Sequence, residues 1–322
     1  MNVIVVGAGI GGLSCATVLK AAGHQVTIFD KSRGPSGRMS TRRTEEWQCD
    51  HGAQYFTARD PIFQAEVNRW ELAGKAAPWS AKLAVLGDAE IHIHDSQLVR
   101  YVGTPRMTSP AKWISESLDL RLEHTISSVT LSDSGWRVKT KEHGLLDHEF
   151  DALVLAVPAP QAIPLLKDVN HPYLEFFQTV NMVGSWTLML QYSQKPDIEF
   201  DAAFVNHGPL RWVARDSSKP GRKGMETWVI QASAGWSEDH IECTADEVIP
   251  ELTEAFIALG GTQPDSCVAH RWRYADTLPV KSDRFLWDKI QKLGVCGDWI
   301  NGGKVEGAWL SGFWLAQSII SQ

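Results

Sequence analysis

The 322-residue chain is poor in cysteine, and the five it has suggest no shared site. Cys15, Cys49, Cys243, Cys267 and Cys296 are odd in number, widely spaced and without a CxxC pair. That argues against a disulfide framework and a zinc site and suits a reducing compartment. No apolar run reaches the ~18 residues of a membrane-spanning helix. Positive charge is not in surplus either: the net charge is −7, which argues against nucleic acid or an anionic membrane as the main partner. The basic stretches 31–43 and 211–223 are local. Repeats and low-complexity tracts are absent. The first strand signal begins at Asn2 or Val3 and leaves no room for a signal peptide, so a cytoplasmic protein is expected. What is there is a chain with 43% apolar residues, enough for the core of one large domain or two.

Against these absences stands one N-terminal pattern. Val3–Val6 is fully apolar, the mark of a buried parallel strand. Gly7-Ala8-Gly9-Ile10-Gly11-Gly12 follows and places G-x-G-x-x-G at Gly7, Gly9 and Gly12. Leu13–Ala22 reads as a helix stopped by Gly23, and HQVTIFD as a second strand ending at Asp30. Asp30 lies 18 residues beyond Gly12, close to the ~20 expected for a ribose-binding carboxylate. Gly7 permits the tight turn, Gly9 lets a pyrophosphate approach the backbone, and Gly12 lets helix and strand pack closely. The phosphates then meet free N–H groups at the positive end of the helix. This motif alone does not separate FAD from NAD. No second GxGxxG occurs, so any nicotinamide must bind in the substrate pocket rather than on a fold of its own.

Two further stretches bear on which dinucleotide is held. Arg33-Gly34-Pro35-Ser36-Gly37-Arg38 resembles the R-x-G-G-R loop of the flavin amine oxidase superfamily, with Ser36 in place of one glycine. The resemblance implies that this loop, from Lys31 to Met39, runs along the cofactor and that Arg38 pairs with its phosphate. GVCGDWINGGKVEGAWLSGFWLAQSII resembles the C-terminal flavin motif of the same superfamily. It implies that Asp298 accepts from the ribityl chain. It also implies a helix N-terminus at Lys304 and Val305 aimed at the flavin N1–C2=O edge, stabilising the reduced anion. EFDALVLAVPAP and HTISSVTLSDSGWRV resemble superfamily strands, with Ile126 touching adenine through its backbone. Non-covalent FAD is the cofactor these resemblances imply, with Cys296 nearby.

The expected fold class is α/β. A discontinuous Rossmann-type FAD-binding domain would comprise residues 1–60, 97–160 and 276–322, and a second, mixed-sheet α+β substrate domain residues 61–96 and 161–275. NMVGSWTLMLQY alternates Trp186, Leu188 and Leu190 with Thr187, Met189 and Gln191 and reads as a half-buried strand. ETWVIQAS and VAHRWRYAD read the same way. ADEVIPELTEAFIALGG is an amphipathic helix closed by Gly260-Gly261. The mixed sheet should face the flavin ring.

The chain as a whole resembles the renalase family, especially its shorter bacterial members. The carrying residues are GAGIGGLSCA, KSRGPSGRMSTRR, DHGAQYFTARDP, NMVGSWTLML, HRWRYA and GDWINGGKVEGAWLSG, which run from end to end. The resemblance implies oxidation of 2-dihydro-NAD(P), with the 6-dihydro isomers as further candidates. Hydride passes to flavin N5 and O2 reoxidises the flavin, giving NAD(P)+ and H2O2 in a metabolite-repair role. The partners are then a small dinucleotide substrate and O2. Such a step regenerates an aromatic cation and takes no proton from the substrate, so no catalytic side chain is expected and the site needs orientation. Gln54 and Tyr55 would reach the flavin ring. Thr57, Ala58, Arg59, Asp60 and Pro61 would frame the substrate, with Ser96, Trp186, Thr187, Trp272 and Tyr274 as walls. His51 reads as a packing or hydrogen-bonding histidine partnered by Asp50.

Amine oxidation is the main alternative. Superfamily amine oxidases usually place an aromatic residue three before the final G-A, where this chain has Lys304, and a lysine in the strand matching VGSWTLML, where it has none. The hydroxylase pattern G-D-A-A-H-x-x-P is replaced by GDWINGG. A non-enzymatic module of the GDP-dissociation-inhibitor kind shares the architecture; a yellow purified protein would exclude it.

Overall fold

The computed structural model of the chain describes residues 1–87, 98–278 and 283–321. The apolar strand Asn2–Val6 lies inside a six-stranded sheet ordered 286–288, 293–295, 152–155, 2–6, 25–29, 119–121. All its pairs are parallel except that between 286–288 and 293–295 at one edge. Strands buried on both faces need apolar residues at every position, which is why VIVV and ALVL carry no alternation. Helix Ile10–Ala21 and the C-terminal helix Lys304–Ile320 pack together beside this sheet. They approach so closely that a Cβ on Gly312 would collide with the Gly11 carbonyl, and one on Gly11 would lie 2.9 Å from the Ala308 carbonyl oxygen. Glycine backbone thus joins two segments from opposite ends of the chain. The hairpin 126–132/135–140, extended by 144–145, forms a separate small sheet.

The second large sheet runs 266–277, 182–192, 226–232, 210–215, 202–205, 83–86. It is antiparallel except for the 202–205/83–86 pair, and so is mixed. Strand 182–192 is buried on both faces rather than half-buried. Trp186, Leu188 and Leu190 pack with Val248, Leu252 and Phe256 of helix Ala245–Ala258. Met189, on the other face, joins the core that contains Cys49 and Phe56 of the first body. A strand sandwiched between a helix and a second body has no solvent side, so its alternation marks two apolar environments. A Thr244/Glu247 capping box starts helix Ala245–Ala258. Helix Pro61–Leu72 packs Phe63 against Trp309 of the C-terminal helix, ring centroids 5.5 Å apart. The chain therefore folds as an α/β Rossmann-like domain with a second, mixed-sheet domain. Among the described residues no helix is long and apolar enough to cross a membrane.

Candidate active site

A cavity of about 2270 Å³ runs from the glycine-rich turn to the second sheet. Single small-molecule pockets hold roughly 300–1,000 Å³, so this one has room for a dinucleotide and a second ligand. Gly9 is the N-cap of helix Ile10–Ala21, which has no acid in its first turn and no side-chain cap. Its first N–H groups are left for an anion. Gly7 holds φ 108°, and a Cβ there would come 2.5 Å from the Ala156 carbonyl oxygen. A Cβ on Gly12 would strike the Gly7 carbonyl, whereas one on Gly9 would meet open space. Gly9 is therefore the place where a diphosphate fits against bare backbone. Asp30 accepts from the Ala8 N–H at 2.7 Å and the Ser32 N–H at 2.8 Å, which brace it at the rim. Ser36, where the glycine doublet is broken, is buried and holds φ 124°. That is a glycine conformation carried by a residue with a Cβ.

Arg38 and Asp298 meet across 260 residues of sequence in an ion pair, and Arg38 also donates to the Ala275 carbonyl at 3.1 Å. Lys304 opens the C-terminal helix with φ 66°. In that first turn Glu306, which sequence reasoning missed, accepts from the backbone N–H groups of Arg59 (2.6 Å) and Asp60 (2.7 Å). A carboxylate is stabilised at a helix N-terminus, so this contact pins the 57–61 segment to the end of the helix. Ile10, Lys31, Met39, Gln54, Tyr55, Ile126, Lys304 and Val305 line the cavity, whereas Gly12 serves packing.

Of the expected substrate residues, Thr57, Arg59, Trp272 and Tyr274 line the cavity. Asp60 instead caps helix Pro61–Leu72, accepting from the Ile62 N–H at 2.8 Å, and Pro61 occupies the first turn. The Ala58 carbonyl is taken by the Gln64 side chain at 3.2 Å. Trp186 is not a wall. Strand alternation puts it on the helix side with Leu188, where its indole donates to the His240 carbonyl at 2.9 Å and Arg271 lies over its ring. Thr187 faces the cavity side but is fully buried. Ser96 lies outside the described residues.

Register assembles a row that the linear pattern did not show. His270 pairs with Thr187, Thr187 with Gln231, and Gln231 with Trp212, so four strands each give one side chain to the same face. His270, Gln231 and Trp212 line the cavity. His51 stacks on Trp272 (5.4 Å) and meets His270 edge-on (4.7 Å), and the Trp272 indole donates to the His51 carbonyl at 2.8 Å. Burial, reinforced by His270 and Arg42, pushes His51 down to about 3, and burial with Arg42 pushes His270 down to about 4. Both rings are neutral at neutral pH.

Asp50 does not partner His51. Neighbours on extended chain point to opposite sides, and the Asp50 carboxylate turns into the protein. There it accepts from the Thr41 hydroxyl (2.6 Å) and the Met107 N–H (3.2 Å), and it pairs with Arg222 and with Lys219 at 3.2 Å. Burial alone would raise its pKa, but Lys219 and Arg222 hold it well below the usual carboxylate range. Lys219 is fully buried, 2.6 Å from Asp216 and 3.1 Å from the Gln54 Oε1. The Gln54 Nε2 donates to the carbonyls of Asp50 (2.7 Å) and Gly52 (3.1 Å). Gln54 thus reaches the cavity wall with its amide protons already spent.

The cavity's charge contrasts with that of the chain. Among the described residues thirteen lysines and arginines line it against three acids, Asp30, Asp276 and Asp298. A glycine-rich turn at the ends of parallel strands, opening into a cation-lined cavity closed by a mixed sheet, defines a dinucleotide-dependent enzyme class. Residues 5–70 match the NAD(P)-binding Rossmann-like domain, and residues 76–320 match the flavin containing amine oxidoreductase family, to which the chain belongs. Over 71 residues it is 39% identical to an L-amino-acid oxidase of Sistrurus catenatus edwardsii, a stretch covering 22% of this chain and 14% of that protein. Two solved structures share the fold. One is a protein provisionally assigned as a protoporphyrinogen oxidase from Exiguobacterium sp. 255-15 (TM-score 0.80, 14% identity, 99% of this chain and 98% of that one). The other is cyclohexylamine oxidase from Brevibacterium oxydans IH-35A (TM-score 0.76, 13% identity, 99% and 98%). The cofactor of this family is FAD, and the open backbone at Gly9 and the uncapped helix end fit its diphosphate.

Proposed function

We propose that the protein oxidises the 2-dihydro, and as further substrates the 6-dihydro, isomers of NAD(P)H, as the renalase resemblance implies. The observation that carries this reading is the cation-lined cavity with its two neutral histidines. Such a cavity attracts a dinucleotide polyanion and repels the ammonium form of an amine. Bound FAD supplies the hydride acceptor and, with O2 and one proton, completes the conversion to NAD(P)+ and H2O2. The chain's own part is orientation. Gly9 and the uncapped helix hold the cofactor diphosphate, Asp30 its ribose, and Asp298 and Arg38 its ribityl–phosphate stretch, while Lys304 places positive charge at the helix start. Thr57, Arg59, Trp272 and Tyr274 form the substrate's frame. The proposed division is a nucleotide domain of 1–60, 97–160 and 276–322, with the remainder holding the substrate.

Amine oxidation is the second reading, favoured by the family itself and by the amine named for one solved relative. Anaerobic mixing separates the two. The isomers should bleach the flavin absorbance within one turnover, and 4-dihydro NADH and primary amines should do so very slowly or not at all. Fast bleaching by benzylamine or a polyamine, with none by the isomers, reverses the assignment.

A further inference from the structure

Strand 210–215 carries an irregularity at the cavity. Leu210 pairs with Ala232 and Trp212 with Gln231, so two steps on one strand match one step on the other, and Arg211 is the extra residue of a β-bulge. Regular alternation would put Leu210 and Trp212 on the same face. Here Leu210 packs on the helix side, while Arg211 and Trp212, consecutive in sequence, both line the cavity. Bulges re-aim side chains in this way beside functional sites. The Arg211 guanidinium lies 3.5 Å from Asp276 on strand 266–277, although strands 182–192 and 226–232 intervene. The pair therefore bridges two strands that are not neighbours in the sheet, and both residues line the cavity. Both partners are about half exposed, at 44% and 49%, and such a pair holds together weakly. Beside it, the Trp212 indole N–H is buried without a partner. Its ring sits between Phe204 (4.8 Å) and Tyr55 (5.5 Å).

We infer that Arg211 is the anchor for the substrate's diphosphate, held in reserve by Asp276 and exchanged onto the ligand when it binds, with the Trp212 N–H as a neutral second donor. This deepens the proposed function and rests on it. A guanidinium presents a planar fork of donors that matches phosphate oxygens in pairs, and a weak, half-exposed partner is easily displaced. The other acids on the cavity wall are differently engaged: Asp30 by loop N–H groups, Asp298 by Arg38.

The test compares 2-dihydro-NAD with the uncharged 2-dihydronicotinamide riboside on the FAD-loaded enzyme, in wild type, Arg211→Met and Asp276→Asn. Loss of the fork should raise KM for the dinucleotide at least about tenfold and leave the riboside's KM unchanged. Asp276→Asn should lower KM for the dinucleotide. Equal effects on both substrates, or a rise in KM with Asp276→Asn, would make the pair merely structural and overturn the inference. If wild type oxidises neither substrate, the functional reading falls by itself. ADP-ribose binding, followed by tryptophan quenching, then decides Arg211 separately: weakened binding in Arg211→Met retains the anchor, and unchanged binding removes it.

Discussion

The two ends of the cavity are built from different materials. At the nucleotide end the working surface is backbone: Gly7, Gly9 and Gly12 matter for the side chains they lack, and each meets a carbonyl or open space. At the end proposed for the substrate it is side chains drawn from four strands, with the buried Asp50, Asp216, Lys219 and Arg222 cluster behind Gln54. Backbone sites are specified by short contiguous motifs, because conformation is local. Side-chain sites are specified by register, burial and charge balance, which involve residues far apart in sequence.

The contrast can be broken most severely at the charged cluster. Lys219→Met leaves Asp50 and Asp216 facing Arg222 alone, and stability should drop by about 3–5 kcal/mol in urea unfolding. Adding Asp216→Asn should recover much of it. A wild-type urea midpoint in the single variant would show that charge does not hold the substrate end. At the nucleotide end, Asp298→Ala removes the partner of Arg38 and should loosen FAD roughly ten- to a hundredfold, read as flavin released on dilution; undiminished retention would remove its assigned role.

Acid sharpens the comparison further. His51 and His270 titrate near 3 and 4 in the folded protein against an ordinary 6.5. As pH falls below about 6.5 the unfolded chain takes up protons that the folded one refuses. Their contribution is therefore complete above that pH and is lost progressively as pH passes through the folded values. Tm followed across this window should decline, and His270→Phe should flatten the decline; an unchanged slope in that variant would contradict the assignment. The smallest effect is expected at Ser36. Its φ of 124° carries backbone strain that Gly relieves, so Ser36→Gly should stabilise by about 1 kcal/mol in thermal unfolding.

Much of the nucleotide end was legible in advance. The strand, turn, helix and acid from Val3 to Asp30 and the glycine-rich segment after Gly297 announce themselves by local pattern. Trp186 misled, because an aromatic in an alternating strand shows that it has a face but not which body covers it. Asp60 and Pro61 misled for a related reason: next to a pocket motif, a helix cap and a ligand-binding acid look alike in sequence. Glu306, Trp212 and Lys219 left no signal: Glu306 and Lys219 act through partners far away in the chain, and Trp212 is turned to the cavity by a bulge that only strand register reveals.

From sequence alone came the kind of backbone this protein has, the place of its dinucleotide turn and the C-terminal segment that must meet it. Tertiary structure alone decided which side chains share the cavity: register lines up residues from four strands, and one extra residue at Arg211 lets Arg211 and Trp212 both face the cavity while Leu210 faces the helix. The buried charge cluster had the same origin: Asp50, at the end of strand Gln48–Asp50, and Lys219, just after the turn Asp216–Ser218, become a pair only when these distant segments are pressed together out of water.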